Sequence, residues 1–157
     1  MAKRKFNDRE LSIEDAISEA FGELQSLGEE MREAFDNTPE SLQNSGVGEA
    51  RGEAADALEN ISEPDIPTEL QGDKFKVKWQ VHAMTPKQQM KQSRAARRDD
   101  ALVTLNAVAD FLDQIDDEEN SDAHYSDEEK EAASTLVDEV RQMIDEAESV
   151  DFPGMFG

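Results

Sequence analysis

Residues 12–36 read SIEDAISEAFGELQSLGEEMREAFD, and this stretch decides the fold. Ser12 offers a hydroxyl to the first turn, with the carboxylate of Asp15 three residues on, a near capping box. Ile13, Ala20, Leu27 and Ala34 then recur at one heptad position, and Ile17, Leu24 and Met31 at the complementary one. Phe21 and Phe35 widen that seam. A strict two-position stripe implies coiled-coil pairing, whereas the added aromatics imply burial against more than one helix. The spacing predicts a helix from 13 to 36, stopped by Asp36-Asn37-Thr38-Pro39.

Downstream, Thr38-Pro39-Glu40 has the form of an N-cap with proline at the first helical position of a short turn. Asn44 to Gly48 is a flexible break. Val47, Ala50, Ala54, Ala57, Leu58 and Ile61 form a small-residue helical stripe suited to close packing. Pro64 and Pro67 keep 62–67 extended. Over 74–83 the period changes: Phe75, Val77, Trp79 and Val81 alternate with Lys74, Lys76, Lys78, Gln80 and His82, a half-buried strand with one apolar and one basic face. A lone strand leaves its backbone groups unpaired, so it must pair with a weakly patterned stretch such as 64–72 or with another chain. Thr85-Pro86 opens a helix that is basic at first and then carries Leu102, Leu105, Val108, Leu112 and Ile115 on one face. Residues 116–125 read as a loop. Ser126-Asp127-Glu128-Glu129 is a full capping box, followed by Leu136, Val140, Met143, Ala147 and Val150 at heptad spacing. The expected fold is therefore all-α, a bundle of amphipathic helices with one short β-strand at about 74–83, assembling as an oligomer. Four regions follow: 1–72 an N-terminal acidic helical region, 73–98 a basic strand-turn-helix connector, 99–150 a C-terminal acidic helical hairpin, and 151–157 an apolar tail.

The charges divide along the same lines. In 157 residues, 38 acidic side chains face 16 basic ones, for a net charge of −22. Residues 1–9 carry +3, 10–72 carry −15, 73–98 carry +7 and 99–157 carry −17. Leu, Ile, Val and Phe together make up about 20% of the chain, a lean core supply for a globular domain. Cysteine is absent, which excludes disulfides, thiolate metal sites and cysteine nucleophiles. No apolar run approaches the roughly 20 residues that span a bilayer, and no secretory signal pattern is present; a cytoplasmic location is expected.

Catalytic signatures are missing. The two histidines are His82, on the polar face of the strand, and His124, in the acidic loop, and no nucleophile elbow, phosphate loop, dinucleotide fingerprint or zinc-protease motif occurs. No cofactor is expected. Asp116, Glu118, Asn120, Asp122 and Asp127 fit positions 1, 3, 5, 7 and 12 of a calcium loop, but Ser121 stands where the sharp turn needs glycine, and Asp127 where a longer glutamate belongs. No metal site is assigned. The connector offers Lys74, Lys76 and Lys78 beside Trp79 and Phe75, a stacking platform with a phosphate track, extended by Arg94, Arg97 and Arg98. The overall charge opposes a polyanion, and the other reading is that these bases neutralise neighbouring acidic helices within the fold or across a homodimer.

The acidic helices invite the opposite idea. A helix from 13 to 36 is about 36 Å long and bears a net charge of −7, as do residues 127–149. Duplex DNA carries roughly 21 phosphates over about 36 Å, so two such helices reach about two-thirds of its charge density. Charge mimicry of nucleic acid is feasible, and Glu19, Glu23, Glu29, Glu30, Glu33, Asp138, Glu139 and Asp145 are its candidate contacts. In the tail, Phe152 and Phe156 either fold back on the core or anchor in a partner's pocket.

From Leu24 through Leu27-Gly28-Glu29-Glu30-Met31 to Gln43, and again at Glu53-Ala54-Ala55-Asp56-Ala57-Leu58-Glu59, the chain resembles small acidic helical proteins of tailed bacteriophages over about residues 20–70. The resemblance implies an accessory or virion-associated protein and carries over no functional residue. The expected function is non-enzymatic: acidic helices engaging a basic protein surface, that of a nucleic-acid-binding protein included. The alternatives are a virion or assembly component joined through helical seams, and a nucleic-acid-binding protein using the connector.

Overall fold

The computed structural model describes residues 6–72, 75–116 and 125–152. In chain order these form β1 (Phe6–Ser12), α1 (Ile13–Asp36), α2 (Glu40–Gln43), α3 (Gly46–Glu59), a single 3-10 turn (Thr68–Leu70), β2 (Lys76–His82), α4 (Pro86–Met90), α5 (Arg94–Asp116) and α6 (Asp127–Glu148). The architecture is mainly α with one small antiparallel sheet.

α1 begins and ends where its spacing predicts. Ser12 Oγ accepts from the Asp15 amide at 3.1 Å, fixing the first turn. Ile13, Ile17, Ala20, Leu24, Leu27 and Met31 are all buried. α3 packs on one flank of α1 and α5 on the other, and α5 in turn packs on α6. The heptad seam is therefore filled within the chain, as Phe21 and Phe35 implied. Both acidic blocks feed one continuous apolar cluster, drawn from α1, α3, β2, α5 and α6.

Three local expectations need correction. First, β2 pairs with neither 64–72 nor another chain along its inner edge; its partner is β1, antiparallel, with Phe6 opposite His82 and Ser12 opposite Lys76. β1 escapes pattern reading because Asn7 and Arg9 occupy its inward positions, opposite Val81 and Trp79. Arg9 is tolerated there because its guanidinium lies over the Trp79 ring, 5.2 Å from the centroid. Second, the helix after Thr85 breaks. Thr85 and Gln88 form a reciprocal capping box on α4, and Ser93 Oγ then accepts from the Ala96 amide at 3.1 Å, starting α5 anew. Third, Thr38 does not cap α2. Its hydroxyl donates back to the Ala34 carbonyl at 2.7 Å, and Pro39 takes the capping position. The Ser126 box on α6 forms in both directions with Glu129.

Candidate functional site

The basic side chains explain much of how the bundle is tied together. Arg97, on α5, donates from Nε to Glu23 at 2.6 Å and pairs through Nη1 with Glu30 at 2.7 Å. Arg94, one turn earlier, reaches Glu30 at 3.4 Å. Arg9 grips Glu19 with both terminal nitrogens, which holds the Glu19 carboxyl below the usual glutamate range. Arg32 joins α1 to α3 through Glu59 and Asp56, and its hydrogen bond likewise lowers Glu59. Arg98 acts differently. Its Nη1 donates to the carbonyls of Ala147, Glu148 and Val150 at 3.1, 3.3 and 2.9 Å, closing the C-terminal end of α6. Every arginine among the described residues has a partner inside the chain.

This arrangement separates the side chains expected to form the nucleic-acid platform. Trp79 and Phe75 are 8% and 2% exposed and face the core, while Lys76 and Lys78 point from the other face of the strand. Alternation itself forces that separation, because neighbours on a strand point to opposite sides. The Trp79 and Phe75 rings therefore do not lie on the lysine face of the strand. Arg94, Arg97 and Arg98 serve the fold, and the two lysines flank the Glu10 carboxylate at 3.9 and 3.5 Å. Lys74 lies outside the described residues.

The same pairs neutralise three of the acidic candidates: Glu19, Glu23 and Glu30 are matched by Arg9, Arg97 and Arg94. Glu29 and Glu33 on α1, and Asp138, Glu139 and Asp145 on α6, are exposed with no basic partner among the described residues. Phe152 is half-buried against the core under Arg98, whose guanidinium sits 5.5 Å from its ring centre. Phe156 lies outside the described residues, as does most of the calcium-like loop.

What the structure brings together is a surface the candidate residues only partly cover. The extended stretch around Glu63-Pro64-Asp65 forms a wall shared by two clefts. One, of about 440 Å³, opens toward Glu14 and Asp15 at the start of α1. The other, of about 330 Å³, opens toward Glu139, Gln142 and Glu146 on α6. Among the described residues six carboxylates line the pair, and no basic side chain does. Glu14 anchors the far end of the stretch by accepting from the Gly72 amide at 3.2 Å. Glu14, Asp15, Glu63, Asp65 and Glu146 were not singled out by helical periodicity. The two prolines were the available signal, since they fix an extended segment that carries its acids across neighbouring helix ends.

A larger cavity, of about 510 Å³, lies between the sheet and α5, but Arg9 and Arg97 in its wall are tied to Glu19 and Glu23. Among the described residues no group of three or more histidine or carboxylate side chains is placed to hold a metal ion, and no helix is long and apolar enough to cross a membrane. Trp79 Nε1 is the one buried side-chain polar atom among the described residues with no hydrogen-bond partner, a deficit of about 1–3 kcal/mol. No protein-family model, no curated protein and no solved structure matches this chain.

Proposed function

We propose that this protein is a non-enzymatic, phage-type accessory factor that engages a basic surface of a partner protein through the acidic face built by 63–65, the start of α1 and the outer side of α6. The observation that carries this reading is the pair of adjoining clefts lined by Glu14, Asp15, Glu63, Asp65, Glu139 and Glu146, with no base among the described residues of their walls. The contrast with Glu19, Glu23 and Glu30 supports it: arginines neutralise the acids at helix crossings and leave this face uncompensated. A low-dielectric rim bearing charge of one sign focuses the field outward and steers an oppositely charged partner. Exposed Asp138 and Asp145 extend the same charge along α6. A partner that itself binds nucleic acid fits the charge density, since the face then occupies the surface that phosphates would contact.

The reading of the connector as a nucleic-acid site is weaker, because its arginines already have partners. Assembly through the helical seam is less favoured, because Ile13, Ile17, Ala20, Leu24, Leu27 and Met31 are buried within the chain. The test is a calorimetric titration of the intact protein with basic DNA-binding proteins. Binding should weaken steeply between about 0.05 and 0.2 M salt and be competed by duplex DNA. Absence of a salt-sensitive complex with any of them would refute the proposal.

A further inference from the structure

We propose that the open edge of β2 is a docking groove for an extended peptide of a partner protein in which acidic and apolar residues alternate. Among the described residues the sheet has two strands, so β1 satisfies one edge of β2 and no described strand lies on the other. Beside β2 runs a groove of about 450 Å³. One wall is the unbroken run Lys76 to Trp79, and the other is the face of α5 that presents Ala107, Asp110, Phe111 and Gln114. Those α5 positions are one turn apart and share a side of the helix. No β1 residue lines the groove, which places it along the far edge of β2. In an antiparallel pair, alternate residues turn their N–H and C=O away from the partner strand. For Lys76–His82, no backbone hydrogen bond reaches any described element other than β1. A strand slotted between β2 and α5 would complete that row, the geometry of strand addition.

Side-chain alternation sets the chemistry of the occupant. Its inward residues would meet Val77, Trp79 and Phe111, and are apolar. Its outward residues would stand beside Lys76 and Lys78, which among the described residues share the Glu10 carboxylate, while Asp110 stands on the opposite α5 wall; Lys78 keeps 77% of its side chain exposed. Acidic residues suit those positions. Trp79 also lines the groove, and its buried Nε1 without an acceptor is the kind of donor that an incoming carbonyl or carboxylate satisfies. A second copy is a poor occupant. Symmetric pairing of two β2 edges sets lysines against lysines. This site shares no residue with the acidic face and stands independently of it.

The test uses the intact protein and the end-blocked peptide Glu-Val-Glu-Val-Glu-Val-Glu. Trp79 is the sole tryptophan, so its fluorescence reports the groove directly. Binding should change its emission saturably and slow exchange of alternate backbone amides within 76–82. Methylating alternate peptide nitrogens should abolish the effect without altering the protein, and the lysine counterpart of the peptide should not bind. The double substitution Lys76→Gln with Lys78→Gln, shown folded by circular dichroism, should weaken binding by about five- to tenfold. No saturable change up to millimolar peptide, equal binding of the lysine peptide, or a dimer joined through β2 in sedimentation would each overturn the proposal.

Discussion

Arg98→Met isolates a single side chain that sequence reading places in a nucleic-acid site and the structure places in the fold. The native guanidinium is 14% exposed and donates to three carbonyls at the end of α6, while its face covers Phe152. Methionine retains the apolar stem but none of the donors. α6 ends among Asp145, Glu146, Glu148 and Asp151, with no base in its last turn, so nothing on that helix can replace the lost charge at its negative pole. A hydrogen bond from a charged donor is worth about 1.5–3 kcal/mol, and the three share one nitrogen and are not additive, so the loss should be about 2–3 kcal/mol. At about 2–4 °C per kcal/mol for a chain of this size, the melting temperature should fall by roughly 4–12 °C. Urea unfolding followed by circular dichroism measures it, with an unchanged denaturant slope showing that the unfolded state is the same. Arg98→Lys should recover part of the loss, since one ammonium reaches fewer acceptors. A change below about 0.5 kcal/mol for Arg98→Met would refute the capping role.

Other expectations concern backbone, pH and salt. Gly22 sits inside α1 with open space where a Cβ would project, so Gly22→Ala should stabilise by about 0.5–1 kcal/mol. At Gly48 a Cβ would run into the carbonyl oxygens of Leu42 and Gln43, so Gly48→Ala should destabilise by more than 1 kcal/mol; paired urea titrations compare the two. The carboxyl of Glu19 is held low by Arg9, so its contribution is complete above the ordinary glutamate range and disappears as pH falls through the lowered value. The stability advantage of wild type over Glu19→Gln should accordingly be constant near neutrality and vanish in acid. Uncompensated acids repel one another, so the melting temperature should rise with added salt or magnesium; a flat response between dilute and molar salt would mean that the charges are already balanced internally.

The helices were legible because burial imposes a period on them. Ile13 to Met31 and Leu136 to Val150 each repeat often enough to fix both the element and its buried face. β1 was not legible, because its inward positions hold Asn7 and Arg9, and only the Trp79 ring beneath Arg9 makes that acceptable. The break at Ser93 was masked by continuous helix-forming residues on both sides, where one capping hydroxyl decides. The candidate surface was half visible. Charge blocks identified α6, but which α1 acids stay uncompensated depends on contacts between residues more than sixty positions apart, such as Arg97 with Glu23, and no local pattern records these. The 63–65 wall shows only as two prolines until α1 and α6 are set on either side of it.

The central claim is that the acidic face around Asp65 is the working surface. Amide chemical-shift mapping during titration with a basic DNA-binding protein tests it most directly. The predicted result is a cluster of salt-sensitive shifts at 14–15, 63–65 and 138–146, with Glu19, Glu23 and Glu30 undisturbed. Shifts confined to 76–98, or spread evenly over every acidic helix, would contradict it.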